Sequence, residues 1–200
     1  MNAITKVLLL IAVVFTAPSL GMAKSDFSEA EKFVTDVGNE IVGVFADKSS
    51  PRQDRKERFR KILIQHFNIQ SIGKFVLRRH WATATDPQRE EFLKLFETAL
   101  VENYSTHFDN YKNEKLKVSG ARASGADGII VQSDIIRPQG GEPLHVDWKI
   151  YPVEGRLMAF DLVVNGVSMS QSQRTEYGTL IQNNGGTLEG LLATLRAKYK

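Results

Sequence analysis

The chain has 200 residues, 26 Lys and Arg against 23 Asp and Glu, and no cysteine. Nearly balanced charge, with no basic block carrying interleaved aromatics, argues against nucleic acid as a partner. The missing thiols exclude disulfides, cysteine zinc sites and a lipid-bearing N-terminal cysteine.

Lys6 precedes an unbroken apolar run, Val7 to Phe15, and Gly21-Met22-Ala23 places small residues where a signal peptidase reads. The pattern predicts a secretory signal over residues 1–23, cleaved after about Ala23. The run is shorter than the roughly 20 residues that span a bilayer. The mature chain, 24–200, shows no repeat, linker or low-complexity tract and is read as one domain, exported, soluble and not lipid-anchored.

The mature sequence opens with a helix. Asp26-Phe27-Ser28-Glu29 has the form of a capping box, and Phe27, Ala30, Val34, Val37, Ile41 and Val44 recur at the spacing of one helix face. Ser49-Ser50-Pro51 ends it and begins a second helix, with Ser50 as N-cap and Pro51 at the first position. A third, short helix is expected over Ile69 to Trp81. A long fourth starts at Thr85-Asp86-Pro87-Gln88, where Gln88 can complete a capping box.

Four strands are then predicted: Leu116–Ala123, Ile129–Arg137, Leu144–Tyr151 and Leu157–Val164. The short connections imply an antiparallel meander. Asn165-Gly166 has the chemistry of a hairpin turn, but no further strand is expected after it. Two helices close the chain, Ser170 to about Gln182 and Thr187 to about Ala197. Helices segregated from an antiparallel sheet make an α+β fold.

Catalytic and metal signals are weak. His66, His80, His107 and His145 lie far apart, and no pair has metal-ligand spacing. Ser168 and Ser170 lack a nucleophile elbow and read as helix caps, with Ser170 placed as the cap. Gly185-Gly186 lacks the strand and lysine of a phosphate loop, so a turn between helices is the plainer reading. Asp161 is an acid inside an apolar strand and needs a partner. Arg174, one turn into the next helix, is the candidate for a structural salt bridge; the alternative is a general base in a pocket.

The apolar surplus carries more information. Trp81, Phe92, Phe96, Tyr104, Trp148, Ile150, Phe160, Leu162, Val164, Val167 and Met169 fill a core or, if a curved sheet is wrapped by helices, line a ligand cavity.

Three segments bring these residues together with a known family. "GKFVLRRHWATATDPQREEFLKLFETAL" carries Trp81, Thr85, Gln88-Arg89 and Phe92; "FDLVVNGVSMSQSQRTEY" carries an aromatic-Asp pair, Gly-Val-Ser and Arg174; "NNGGTLEGLLATLR" closes the chain. With the cysteine-free secretory signal, the stretch from Ile72 to the end, about two-thirds of the chain, resembles the MlaC family of periplasmic phospholipid carriers. The ending also resembles the hopanoid-associated HpnM branch. Three positions depart from the family pattern. Leu157 or Met158 stands where a Trp is usual, Asn165 replaces a Glu, and Trp148 replaces a Tyr.

The resemblance implies an NTF2-like fold, a curved antiparallel sheet of about four strands wrapped by about six helices around an apolar cavity. The cavity takes acyl tails and leaves the headgroup in water, with no cofactor. Phe75, Trp81, Phe92, Phe96, Leu100, Tyr104, Val146, Trp148, Ile150, Phe160, Leu162, Val164, Val167 and Met169 are expected to line it. Expected partners are a phospholipid, an outer-membrane lipoprotein–porin complex and the lipid-binding subunit of an inner-membrane ABC transporter. The basic cluster Lys74, Arg78 and Arg79 either faces headgroups or an acidic partner, or is a solvated helix face. An enzyme on the same fold using Asp161, and a scaffold with a solid core, remain the rival classes.

Overall fold

The computed structural model describes residues 24–125 and 127–199. The expected signal peptide lies outside them. Among the described residues no helix is long and apolar enough to cross a membrane.

Helix α1 runs Lys24–Ala46, beginning ahead of the expected cap at Asp26. It buries Ala30, Val34, Val37 and Val44, as its periodicity requires. The break that follows is built differently from the expectation. Ser49 and Ser50 both turn back on Asp47: its Oδ1 accepts from both backbone N–H groups, and its Oδ2 from the Ser50 hydroxyl. Ser50 therefore caps nothing, and α2 (Arg52–His66) starts after Pro51 without a side-chain cap.

The predicted third helix is split. α3 spans Ile69–Leu77, capped by the Asn68 side chain, and α4 spans Arg79–Thr83. Arg78 between them has φ 54°, which ends the first helix. Helix α5 (Asp86–Ser105) carries the expected capping box: the Thr85 hydroxyl accepts from Gln88 N–H, and the Gln88 side chain accepts from Thr85 N–H. A short 3₁₀ turn, Phe108–Asn110, follows.

Strands β1 (Lys115–Ser124), β2 (Gly128–Ile136), β3 (Leu144–Val153) and β4 (Arg156–Val164) form the antiparallel meander. A fifth strand, β5 (Val167–Ser168), extends it. Asn165 (φ 47°) and Gly166 (φ 83°) do make the hairpin, because both accept the left-handed backbone that a two-residue turn demands. The returning strand is only two residues long before α6 begins, too short to show periodicity. α6 (Met169–Asn183) is capped by Ser168, whose Oγ accepts from Gln171 N–H, not by Ser170. Gly185 and Gly186 close α6, with Gly186 N–H donating to the Ile181 carbonyl, and Thr187 caps α7 (Leu188–Lys198). The glycine pair is thus a turn between helices.

Cross-strand register sorts the sheet into two faces. Leu116, Ile135 and Leu144 form one row, Ser133, Val146 and Val164 the next, then Val131, Trp148 and Leu162, then Ile129, Ile150 and Ala159. These rows face α1, α2 and α5. Lys117, Asp134 and His145 pair in register on the other face, as do Gln132, Asp147 and Val163. Register shifts at Val118/Gly120 and Lys149/Ile150 interrupt the ladders. Such bulges bend a sheet, and the second leaves Phe160 as the extra residue of β4.

Candidate functional site: an apolar cavity along the sheet

Two chambers lie between the inner sheet face and the helices. The first, about 400 Å³, is lined by Ile41, Val42 and Phe45 of α1, by Leu116, Ile135, Leu144, Val146, Trp148, Leu162 and Val164 of the sheet, and by Tyr111. Its size falls in the range of small-molecule sites. Gly38 also lines it, where a Cβ would lie 2.3 Å from Leu116 Cδ2, so α1 can sit close on β1. His107, Asn110, Glu114, Lys115 and Arg137 supply its polar rim, with Lys115 and Arg137 both exposed.

The second chamber, about 180 Å³, lies deeper. It is lined by Phe59 and Leu63 of α2, Phe67 just after that helix, Ile69 and Ile72 of α3, Phe96, Leu100 and Tyr104 of α5, Phe160, Asp161 and Leu162 of β4, and Met169, Ser170 and Gln173 of α6. Ile41, Phe45 and Leu162 line both chambers. The chambers therefore adjoin along β4, the outer bordered by Val164 and Leu162 and the inner by Leu162 and Phe160. Trp148 is anchored in its wall: its Nε1–H donates to Ser133 Oγ (3.1 Å), which donates to the Val146 carbonyl (3.0 Å). The indole N–H is thereby satisfied although the residue is buried.

The family model of the MlaC protein matches residues 35–197. The chain belongs to the MlaC family. Within the wider comparison, it is 24% identical over 180 residues to a protein of Haemophilus influenzae named intermembrane phospholipid transport system binding protein MlaC, covering 87% of this chain and 79% of that one. Its fold matches that of a phospholipid-binding protein from Ralstonia solanacearum, solved in complex with a phospholipid. The TM-score is 0.73 at 16% identity, over 85% of this chain and 96% of the other.

Of the residues that the MlaC resemblance assigns to the cavity, Phe96, Leu100, Tyr104, Val146, Trp148, Phe160, Leu162, Val164 and Met169 line one chamber or both. Five lie elsewhere. Phe92 is fully buried, stacked on Phe96 and met edge-on by Tyr177, so it belongs to the packing of α5 against α6. Ile150 is buried in the solid core beside Ala159. Phe75 packs its ring edge against Phe160 and under Arg174. Val167 sits at the hairpin and is 55% exposed. Trp81 lines an open cleft of about 810 Å³ on another side of the molecule, together with Lys74. Lys74, Arg78 and Arg79 are exposed and line neither chamber.

Sequence reasoning missed the lining that comes from α1 and α2, Ile41, Phe45, Phe59 and Leu63. Their 3.6-residue spacing marks them as inward-facing but does not distinguish a filled core from a hollow one.

Asp161 is not paired with Arg174. Its Oδ2 accepts from Lys149 Nζ (2.9 Å) and from the Ser168 hydroxyl (2.7 Å), and its Oδ1 from Ser170 N–H (2.9 Å). Lys149 is its cross-strand partner in β3, so register brings the pair together before α6 can offer an arginine. Burial pushes the Asp161 pKa up, but the hydrogen bonds from Ser170 and Ser168 and the Lys149 ammonium together hold it below the usual carboxylate range. The carboxylate still fastens the start of α6 to β4, the role expected of the salt bridge, through different partners. Arg174 lies instead with its guanidinium carbon 4.7 Å from the centre of the Phe75 ring, its Nε buried without a hydrogen-bond partner.

Tyr104, at the chamber wall, has its pKa raised by burial and then by the nearby charges of Asp161 and Glu176, so it stays a neutral phenol. Among the described residues no group of three or more His, Cys, Asp or Glu could hold a metal ion.

Proposed function

We propose that this chain is a periplasmic lipid carrier that takes the acyl tails of a phospholipid into the two apolar chambers and leaves the headgroup in water. The observation that carries the reading is the pair of adjoining chambers along β4, walled mostly by apolar side chains, the first with a polar rim and the second with Asp161, Ser170 and Gln173 at its edge. The names of the Haemophilus influenzae relative and of the lipid-bound Ralstonia solanacearum protein support it.

The two tails of a diacyl lipid hold roughly 30 methylenes at about 0.8 kcal/mol each, on the order of 20 kcal/mol against free passage through water. A cavity as apolar as a bilayer offsets that cost and leaves transfer near thermoneutral. Direction then comes from the membrane partners, an outer-membrane lipoprotein–porin complex and an ABC transporter lipid-binding subunit, and the carrier serves outer-membrane lipid asymmetry. In this reading residues 1–23 are removed on export and 24–200 form one lipid-binding domain. Lys115 and Arg137 on the rim stand where a headgroup phosphate would emerge.

An enzymatic reading with Asp161 as general base is disfavoured, because a base serves best with its pKa near the working pH, whereas this carboxylate is held low. The test is lipid extraction of protein purified from the periplasm, followed by mass spectrometry. Stoichiometric diacyl phospholipid is expected, a hopanoid cargo would point to that branch of the family, and a protein that neither carries nor takes up lipid would refute the reading.

A further inference from the structure

The inner end of the hollow is closed by a wall one side chain thick. Phe67 and Ile69 line the inner chamber on one side and the open cleft of about 810 Å³ on the other. Phe160 likewise lines the inner chamber and a recess of about 300 Å³ beside that cleft, shared with Tyr151 and Met158. The wall is held from several directions. Asn68 N–H donates to the Ala159 carbonyl (2.9 Å), which ties the α2–α3 junction to β4. The Phe67 ring lies 6.1 Å from that of Trp148, and the Phe160 ring is met edge-on by Phe75 and Tyr151.

We infer that Phe160, Phe67 and Ile69 are the stop that sets the acyl-chain length this cavity accepts. The inference rests on the carrier reading and adds a specificity determinant to it. Val164 borders the outer chamber and Phe160 the inner end, four residues apart on one strand, hence about 13 Å. A lipid tail occupies half of the roughly 30 Å bilayer core, about 15 Å. The path from the rim to the stop therefore matches one tail. Without the stop it would continue past Met158, six residues from Val164 and about 20 Å along the strand, into the outer cleft.

The experiment loads the mature wild-type protein, Phe160→Ala and Ile69→Ala from vesicles of phosphatidylglycerol with mixed saturated chain lengths, and reads the bound lipid by mass spectrometry. Circular dichroism melting establishes that each protein is folded. The ring deletion should shift the bound distribution to chains longer by about four to six carbons, with roughly a fourfold gain per newly buried methylene. Ile69→Ala, a smaller truncation, should shift it in the same direction by less. Val153→Ala, which lines the cleft and the recess but neither chamber, should leave it unchanged. Folded Phe160→Ala and Ile69→Ala proteins whose chain-length profile equals the wild type would overturn the stop while leaving the carrier reading intact. Wild-type protein that takes up no lipid would overturn both.

Discussion

Leu162 is the wall residue where a single substitution should do most to the cargo and least to the fold. It lines both chambers and is only partly buried, so an aspartate there would stand in the hollow and not in close-packed core. Water can solvate the carboxylate in the lipid-free protein, and the fold should survive. With a tail present that solvation is lost, and an isolated charge in hydrocarbon is prohibitive. The tail must then stop short of Leu162. From Leu162 to the stop at Phe160 is about 7 Å, half of a tail of about 15 Å, or some six methylenes. At about 0.8 kcal/mol each, the loss is roughly 5 kcal/mol, a several-thousand-fold weakening. Leu162→Asp purified beside the wild type should yield protein with an unchanged circular dichroism spectrum and no co-extracted phospholipid. A folded variant carrying a full complement of lipid would show that the hollow along β4 is not where the tails lie.

Asp161→Asn should keep its lipid but lose about 1–3 kcal/mol of stability, because Lys149 and Ser168 are left with a weaker acceptor; Lys149 is partly exposed, which favours the lower figure. Since the folded pKa of Asp161 is depressed, the stabilisation it provides is complete above the unfolded value near 4 and disappears as pH falls through the folded value. Denaturation midpoints of wild type and variant should therefore converge in acid, and a constant gap would contradict the assignment. Gly190→Ala should destabilise the closing helices, since its Cβ would lie 1.8 Å from the Asn184 carbonyl oxygen, a backbone atom that cannot rotate aside. Overpacking of up to about 3 kcal/mol outweighs the roughly 1 kcal/mol that alanine gains in a helix, and a net 2 kcal/mol should lower Tm by about 4–8 °C.

Local chemistry was legible wherever one short segment decides the outcome. The Thr85–Gln88 capping box, the alternation of Val146, Trp148 and Ile150, and the turn at Gly185-Gly186 all depend on neighbours within a few residues, and each appears as read. The errors also have local causes. Ser50 was offered a better acceptor in Asp47, the α3 helix was cut by the backbone of Arg78, and β5 was too short to carry a period.

What tertiary structure alone decided is which apolar side chains touch one another and which face a hollow. Phe92 and Phe96 share one helix and one spacing, yet Phe92 is sealed against Tyr177 while Phe96 also borders the inner chamber. Hydrophobic periodicity records that a residue leaves water; it is silent on whether its neighbour is protein or open space. In the same way, sequence required a partner for the buried Asp161, and only the strand register could make that partner Lys149. The amino-acid order thus determined the elements and the family, and the packing of α1, α2 and α5 over a bulged sheet determined the cavity.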